Sequence, residues 1–415
     1  VKKRECRREA LARAGNCRHQ QRMQSVSQSP TDPEFVQNPY PFYARARAAG
    51  DLVFWEDYAM VAATSHAAVN TILRDRRFGR EVPPELAQPV PERLAPFYAI
   101  EAHSMLELEP PRHTRLRRLV TRAFTTARIE ALRGDIDELV QDLLRALPAG
   151  PFDFLDAFAR PLPVTVIARL LGVPEDRTED LLRWSNAMVG MYQAGRSRAM
   201  EDAAVAATLA FRAYLDEVIA ARRQQPGSDL LSQLIAAEED GSHLSADELI
   251  STVILLLNAG HEATVHSLGN GVKALLEHGG QDLLADPESR ASVIEETLRF
   301  DPPLHLFTRY AYENMSLFGH DFRRGDQVAC LLASANRDAR IWRDPERFDP
   351  HRSVVTNASF GAGLHFCIGA PLARLEMSRA LPALFAAHPG LTLAQPPRYA
   401  DIYHFHGLES LFLRL

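Results

Sequence analysis

The sequence predicts a mainly α (α+β) protein: a helix-rich single domain with small marginal β-sheets and one long central helix. Three observations carry that reading. From about residue 111 to 285 apolar residues recur at helical spacing, broken at "LPAGP" (147–151), "LGVP" (171–174) and "QQPGS" (224–228). Strand-like runs are confined to "DLVFWEDYAMVAAT" (51–64), two short strands about a Glu-Asp turn, and to "LHLFTRYAY" and "QVACLLAS" between 303 and 333. The third is "SADELISTVILLLNAGHEATVHSLGNGVKALLEHGG", which opens with a capping box (Ser245 and Glu248) and stops at Gly279. Its helix of about 33 residues spans about 50 Å at 1.5 Å per residue. A Pro-rich irregular stretch, "RDPERFDPHR" (343–352), and a last helix in "PLARLEMSRALPALFAAHPG" complete the pass.

The 415 residues suffice for one large core or two ordinary ones, with no linker long enough to split them. Hydrophobic residues make up 46% and charged residues 24%, and the net charge is −6. That balance suits a soluble globular protein and gives no reason to expect nucleic acid or anionic lipid as partner. No window reads as a membrane span: "VILLLNAG" (253–260) is too short and runs into His261 and Glu262. The four cysteines, Cys6, Cys17, Cys330 and Cys367, form no CxxC or spaced metal quartet. So few in so long a chain predict a reducing, cytoplasmic location without disulfides or zinc. Residues 1–22 carry eight Lys/Arg against two Glu and no apolar core, so they read as a basic, disordered tail ahead of a domain at 23–415.

"FGAGLHFCIG" (360–369) sets Cys367 among three glycines. A lone cysteine is most often a small buried hydrophobe. Here Gly361, Gly363 and Gly369 permit positive φ and close approach of a flat or bulky group. A helix with Pro371 in its first turn follows, placing the sulfur at a helix N-terminus. Free amides and the helix dipole there are expected to lower the thiol's pKa. A thiolate with no partner ligands points to a metal already chelated by something else, such as haem iron, towards which sulfur pushes electron density for O–O cleavage.

The stretch resembles the haem-ligand loop of the cytochrome P-450 family, F-G-x-G-x-H-x-C-x-G, at every fixed position. Further motifs follow in the family's order, and the resemblance runs from about Asn38 to the C-terminus. It implies the family's helix-rich fold, haem b as cofactor, Cys367 as axial ligand, and Phe360, Gly361 and Gly369 in the cofactor loop. Glu296 and Arg299 in "ETLR" share a helix face. With Arg347 of "DPERF", the resemblance implies a buried scaffold network beneath the haem loop. In "PPRHTRLRRLVTRAF" (110–124), His113 and Arg117 lie about 40° apart on a helix, while Arg115, Arg118 and Arg122 cluster on the opposite side. By resemblance His113 and Arg117, with Arg309 and His365, hold the haem propionates. The other face, with Arg112 between the two groups, reads as a dock for an acidic ferredoxin or as an ordinary solvated face.

The family's long helix carries A/G-G-x-D/E-T, in which the threonine hydroxyl helps deliver protons for oxygen activation. This chain reads "AGHEAT". Ala259, Gly260 and Glu262 match, but Ala263 stands in the threonine's place, and Thr264 is turned about 100° further round the helix. Gly260 is expected to admit a ligand close to the backbone. Three routes for protons remain: ordered water from Glu262, a hydroxyl of the substrate, or use of peroxide. The second, assisted by water, is the expectation.

Leu255, Asn258 and Ala259 recur on the helix face of Glu262. Asn258 is expected to bond a neighbouring backbone or the substrate. Leu304, Phe307 and Leu408 lie in stretches that line the family's pocket, and the proline-rich segment 81–100 resembles the loop that closes over substrate. The predicted activity is a haem-thiolate monooxygenase. It inserts one atom of O2 into a C–H bond of a medium-sized, largely hydrophobic molecule, with electrons from NAD(P)H through a separate ferredoxin and reductase, since no flavin or nicotinamide fingerprint is visible. The alternatives are a peroxide-using or non-oxygenating member that couples or rearranges substrates, and a non-catalytic haem sensor.

Overall fold

The computed structural model describes residues 23–193, 196–239, 242–353 and 356–415, so the basic tail falls outside the described residues. The larger sheet is built from β1 (Ser25–Val26), β2 (Leu52–Trp55), β3 (Met60–Ala63), β4 (Phe78–Gly79), β5 (Leu306–Ala311) and β6 (Gln327–Leu331), in the order β1-β2-β3-β6-β5-β4. β2 and β3 pair antiparallel about the expected turn, with Ala59 at φ 48° closing it. β6 runs parallel to β3 and antiparallel to β5, a register that sets Arg309 opposite Val328. The expected strand "QVACLLAS" ends at Leu331. Residues Leu332–Ala335 form a buried helical turn instead, with Ser334 donating to the Thr64 carbonyl.

Seven helices position the site: α1 (Ala95–Glu101), α2 (Arg112–Ala123), α3 (Pro161–Leu171), α4 (Arg198–Gln224), α5 (Ala246–His278), α6 (Pro287–Phe300) and α7 (Ala370–Ala387). The predicted breaks hold: α3 stops at Gly172, φ 73°, and α4 stops at Gln224. In α5 the capping box is formed in both directions, Glu248 N–H to Ser245 Oγ at 3.2 Å and Ser245 N–H to Glu248 Oε2 at 2.9 Å. Its 33 residues are buried around most of their circumference and share one core with Leu162, Ile167 and Leu171 of α3. A helix buried all round takes its stability from packing rather than from propensity. No helix among the described residues is long and apolar enough to cross a membrane.

Asp301, just beyond α6, draws together three distant parts of the chain. Its carboxylate accepts from Tyr40 Oη at 2.6 Å, from Tyr399 Oη, and from His406 Nδ1 at 2.9 Å. Asn270 of α5 donates to the main-chain oxygens of Asp301 and His406. These bonds hold the C-terminal loop, residues 402–407, against α5. Burial by itself would raise the Asp301 carboxyl, but His406, His305 and Tyr399 outweigh it and hold the group well below the usual carboxylate range. A carboxylate with a depressed pKa stabilises the fold above the unfolded value, about 4, and that contribution is lost as pH falls below it. Asp301→Asn is therefore expected to cost about 3–5 kcal/mol at neutral pH. In urea melts the gap between the two proteins should close on acidification below about pH 4; a pH-independent gap would contradict the assignment.

Candidate functional site

The cysteine loop is closed by its own backbone, with Cys367 N–H bonding the Phe360 carbonyl at 3.0 Å, and by Arg374 lying 4.5 Å over the Phe360 ring. Gly361 and Gly363 have φ of 68° and 70°, the left-handed region expected of glycine. The space they leave serves protein neighbours rather than a ligand. A Cβ at 363 would stand 2.2 Å from the Leu73 carbonyl oxygen, and one at 361 would stand 3.2 Å from the Phe307 ring. Only at Gly369 is the nearest group the Cys367 sulfur, 3.8 Å from a Cβ built there. Burial pushes the Cys367 thiol up; the Gly369 and Ala370 amides and Arg117 pull the other way and do not win. The expected depression is thus reversed for the free thiol, while the groups that would stabilise its anion are in place.

Beneath the loop, Arg299 pairs with both oxygens of Glu296, at 2.7 and 2.8 Å, each side chain 3% exposed. The third member differs from expectation. Arg347 is exposed and contributes its carbonyl oxygen, which accepts from Arg299 and Arg352. Arg352, five residues on, is the guanidinium that faces Glu296, at 3.5 Å. Glu346 and Arg347 lie at the surface beside the buried Phe348, whereas the chain turns back at Asp349, whose N–H bonds Glu296 at 2.7 Å.

Around the start of α2, His113 and His365 lie with rings 4.5 Å apart, and Glu109 accepts from His365 Nε2 at 2.9 Å. Both ring nitrogens of His113 are buried without a partner. Burial and then the neighbouring His365 push its imidazole down to about 4. Arg309, 2% exposed, gives one N–H to the Thr308 carbonyl, and burial lowers it to about 10. Arg117 turns towards the cysteine, donating to the Phe366 carbonyl at 2.7 Å. Glu109, missed in the sequence, sits directly before the "PPRH" that opens α2. Burial favours its neutral form, but His365 and the Arg80 N–H hold it below the usual range. Unpartnered buried donors beside a desolvated guanidinium are what two incoming carboxylates would satisfy.

On α5, Ala259 is exposed at mid-helix, and Leu255, Glu262 and Ala263 are half-buried, so this face is not covered by other protein atoms. Gly260 points elsewhere. A Cβ there would stand 3.2 Å from Ile167 of α3, so this glycine answers to helix packing and not to ligand approach. Thr264 turns inward, its Oγ1 3.4 Å from the Gly260 carbonyl, as the helical rotation predicts. Asn258 is buried with Oδ1 unpartnered; that oxygen makes none of the expected bonds to backbone. An uncovered α5 face, a cysteine sulfur with amide donors and an anion-seeking cluster fit a haem.

Of the remaining pocket residues, Leu304 is half-buried and bridges to Phe405. Phe307 lies against Gly361 of the cysteine loop. Leu408 does not line the site: it is 2% exposed and packs beside Gly269 in the main core. The proline-rich segment leads into α1, where Glu101 accepts from Tyr192 Oη at 2.8 Å and burial raises its carboxyl to about 7. Among the arginines of α2, Arg118 and Arg122 line a surface cleft with Arg117 and Thr121, and Arg112 donates to the Ala102 carbonyl. Arg115 departs from that group, forming an ion pair with Glu248 at the start of α5.

Residues 290–387 match the family model for cytochrome P450. The chain is 39% identical over 394 residues to cytochrome P450 monooxygenase PikC of Streptomyces venezuelae, covering 92% of each chain. It is also 39% identical over 367 residues to a vitamin D(3) 25-hydroxylase of Pseudonocardia autotrophica, covering 87% of this chain and 89% of that one. Among solved structures, P450BioI in complex with hexadec-9Z-enoic acid ligated acyl carrier protein superposes with a TM-score of 0.87 at 34% identity, covering 92% of this chain and all of the other.

The network beneath the loop separates two arginines by their burial. Arg352→Ala, which strips a buried carboxylate of a partner, is expected to cost about 2–3 kcal/mol and to lower haem retention. Arg347→Ala should stay within about 0.5 kcal/mol of the parent. Thermal melts and the haem-to-protein absorbance ratio distinguish them, and equal losses would restore Arg347 to the network.

Proposed function

This chain belongs to the cytochrome P450 family, and from that premise we propose a haem-thiolate monooxygenase acting on a C–H bond of a medium-sized, largely hydrophobic molecule. Haem b supplies the oxygen-activating chemistry when bound. What supports the reading is a cysteine at the N-terminus of α7, Cys367, together with an α5 face that other side chains leave partly open at Ala259, Glu262 and Ala263. In this reading the Cys367 sulfur would ligate the haem iron. His113, Arg309 and His365 would hold the two propionates, Arg117 would support the sulfur's anion, and Phe360, Gly361 and Gly369 would shape the loop. Glu296, Arg299 and Arg352 keep that loop in place.

The residues of α5 then set how protons arrive. Glu262 is the one acid on the uncovered face, and position 263 has no hydroxyl to pass its proton on. A hydroxyl carried by the substrate, bridged by water to Glu262, fills that gap, and Asn258 offers an acceptor to orient it. The half-buried Leu255 and Leu304 supply apolar wall, with the Tyr192–Glu101 bond closing the proline-rich segment over it. Electrons come from NAD(P)H through a ferredoxin and reductase. The ferredoxin docks at the exposed face of Arg112, Arg118 and Arg122 beside the cysteine loop, with Arg115 excluded by its bond to Glu248. The domain is residues 23–415, in the cytoplasm.

Incubation of the haem-loaded protein with ferredoxin, reductase, NADH and labelled O2 is expected to give product carrying one labelled oxygen. Label-free product, or equal turnover with peroxide alone, would favour the peroxide-using or non-oxygenating reading that Ala263 keeps open. Substrates with a hydroxyl near the oxidised carbon should give about tenfold more product per NADH than their deoxy analogues, less than the roughly 10²–10⁴-fold that one positioned proton donor contributes to a rate. Equal coupling for the two would remove the substrate from the proton route.

A further inference from the structure

Glu262 lies between two histidines that the motif does not specify, His261 at its variable position and His266 beyond it. His266, one turn further along α5, holds Nε2 3.6 Å from Glu262 Oε1, and His261 holds Nε2 3.7 Å from Oε2. His261 Nδ1 lies 2.8 Å from the Leu257 carbonyl, which can only accept, so the neutral ring turns its Nε2 lone pair towards the carboxylate. Neither nitrogen of His266 has a hydrogen-bond partner, and the ring is 9% exposed. A carboxylate on the uncovered face thus stands against two buried imidazoles, one of which has no other partner for either ring nitrogen.

The seat of His266 is built. The C-terminal loop crosses its ring at Gly407, where a Cβ would stand 2.0 Å from Nδ1, and Phe405 packs 5.8 Å from the ring. Only a residue without a side chain lets the loop pass at that distance. The loop in turn is fixed by His406, bonded to Asp301. The groups facing Glu262 are these two histidines on its own helix and Arg160, from the segment ahead of α3. Burial alone would raise the Glu262 carboxyl; His266 first, then His261 and Arg160, outweigh it and hold it below its ordinary value.

We propose that His266, seated by Gly407, is a positioning residue for Glu262 and the second holder of a shared proton, giving on the next turn of α5 the support that Ala263 lacks a hydroxyl to give. The step is a proton transfer. When the two atoms close from 3.6 Å to hydrogen-bond distance, a proton on His266 Nε2 passes to Glu262 Oε1: the N–H bond breaks, an O–H bond forms and both groups are left neutral. Glu262 releases the proton on its pocket side, and solvent reprotonates the pair. The use of that proton in oxygenation rests on the function proposed above; the sharing itself does not.

Infrared difference titration of the substrate-free ferric holoprotein tests the sharing without turnover. The protonated Glu262 band is identified by its loss in Glu262→Gln. In both His266→Asn and His266→Gln the band should appear at higher pH than in the parent, with the reduced carbon monoxide spectrum unchanged. Gly407→Ala, which displaces the ring, should shift it the same way. A band that titrates at the parent's pH in both His266 variants overturns the proposal, whatever the enzyme oxidises. With a substrate that couples well in the parent, His266→Asn should also lower product per NADH several-fold, most where the parent's carboxylate is ionised. A ratio unchanged at every pH, with the band shifted, would leave the pair intact and overturn its role in turnover.

Discussion

The guanidinium of Arg299 has five N–H donors, and all are used inside the protein. Three bonds beyond the Glu296 pair go to the carbonyls of Asn336, Pro345 and Arg347, at 2.9, 2.9 and 3.1 Å. A cation with so little contact with water is tolerable only because every donor is met and a carboxylate lies against it. The same bonds fix a stretch that has almost no regular structure to fix it. Asn336 passes the constraint on, accepting from the Ala358 N–H and donating to Ser359 Oγ, which in turn bonds the Leu298 carbonyl of α6. From Ser359 the chain enters the cysteine loop directly. The position of the sulfur is therefore set by one buried ion pair and a short relay of side-chain-to-backbone bonds.

On the opposite side of the site the constraint runs through α5. A single buried helix carries the apolar core contacts, the uncovered face, the acid and, about two turns on, Asn270, which bonds the C-terminal loop. Its polar side chains divide by depth. Asn270 is spent on two main-chain oxygens, Thr264 and Ser267 turn back to carbonyls of their own helix, and Glu262 keeps its charge beside two imidazoles. In a low-dielectric interior such small differences in partnering decide which group holds a proton.

Long-period features were legible in the sequence, and close-range ones were not. The boundaries of α5 follow from its capping box and glycine stop because those signals are local to the chain. The breaks at Gly172 and Gln224 are read the same way. The cysteine loop is visible because several residues must fall at fixed spacing. Residues that act across the fold left weaker marks. Arg352 replaced Arg347 because which of two nearby arginines turns inward depends on a chain reversal no periodicity records. Arg115 left its helical cluster for Glu248, a partner more than a hundred residues away. The space left by Gly260 and Gly361 belongs to Ile167 and Phe307, side chains brought there by α3 and β5. Glu109 carried one usable signal, an acid immediately ahead of a basic helix.

Under the proposed function, the bare amide oxygen of Asn258 bears on which molecules the site would take. An acceptor left unmatched in a dry wall is a standing penalty of about 1–3 kcal/mol. A visitor that presents an O–H or N–H at that spot relieves it, and a pure hydrocarbon of the same outline does not. Under the proposed function a substrate site built around that atom would sort compounds by where they carry a donor, before any bond is broken, and oiliness alone would be a poor guide to what stays.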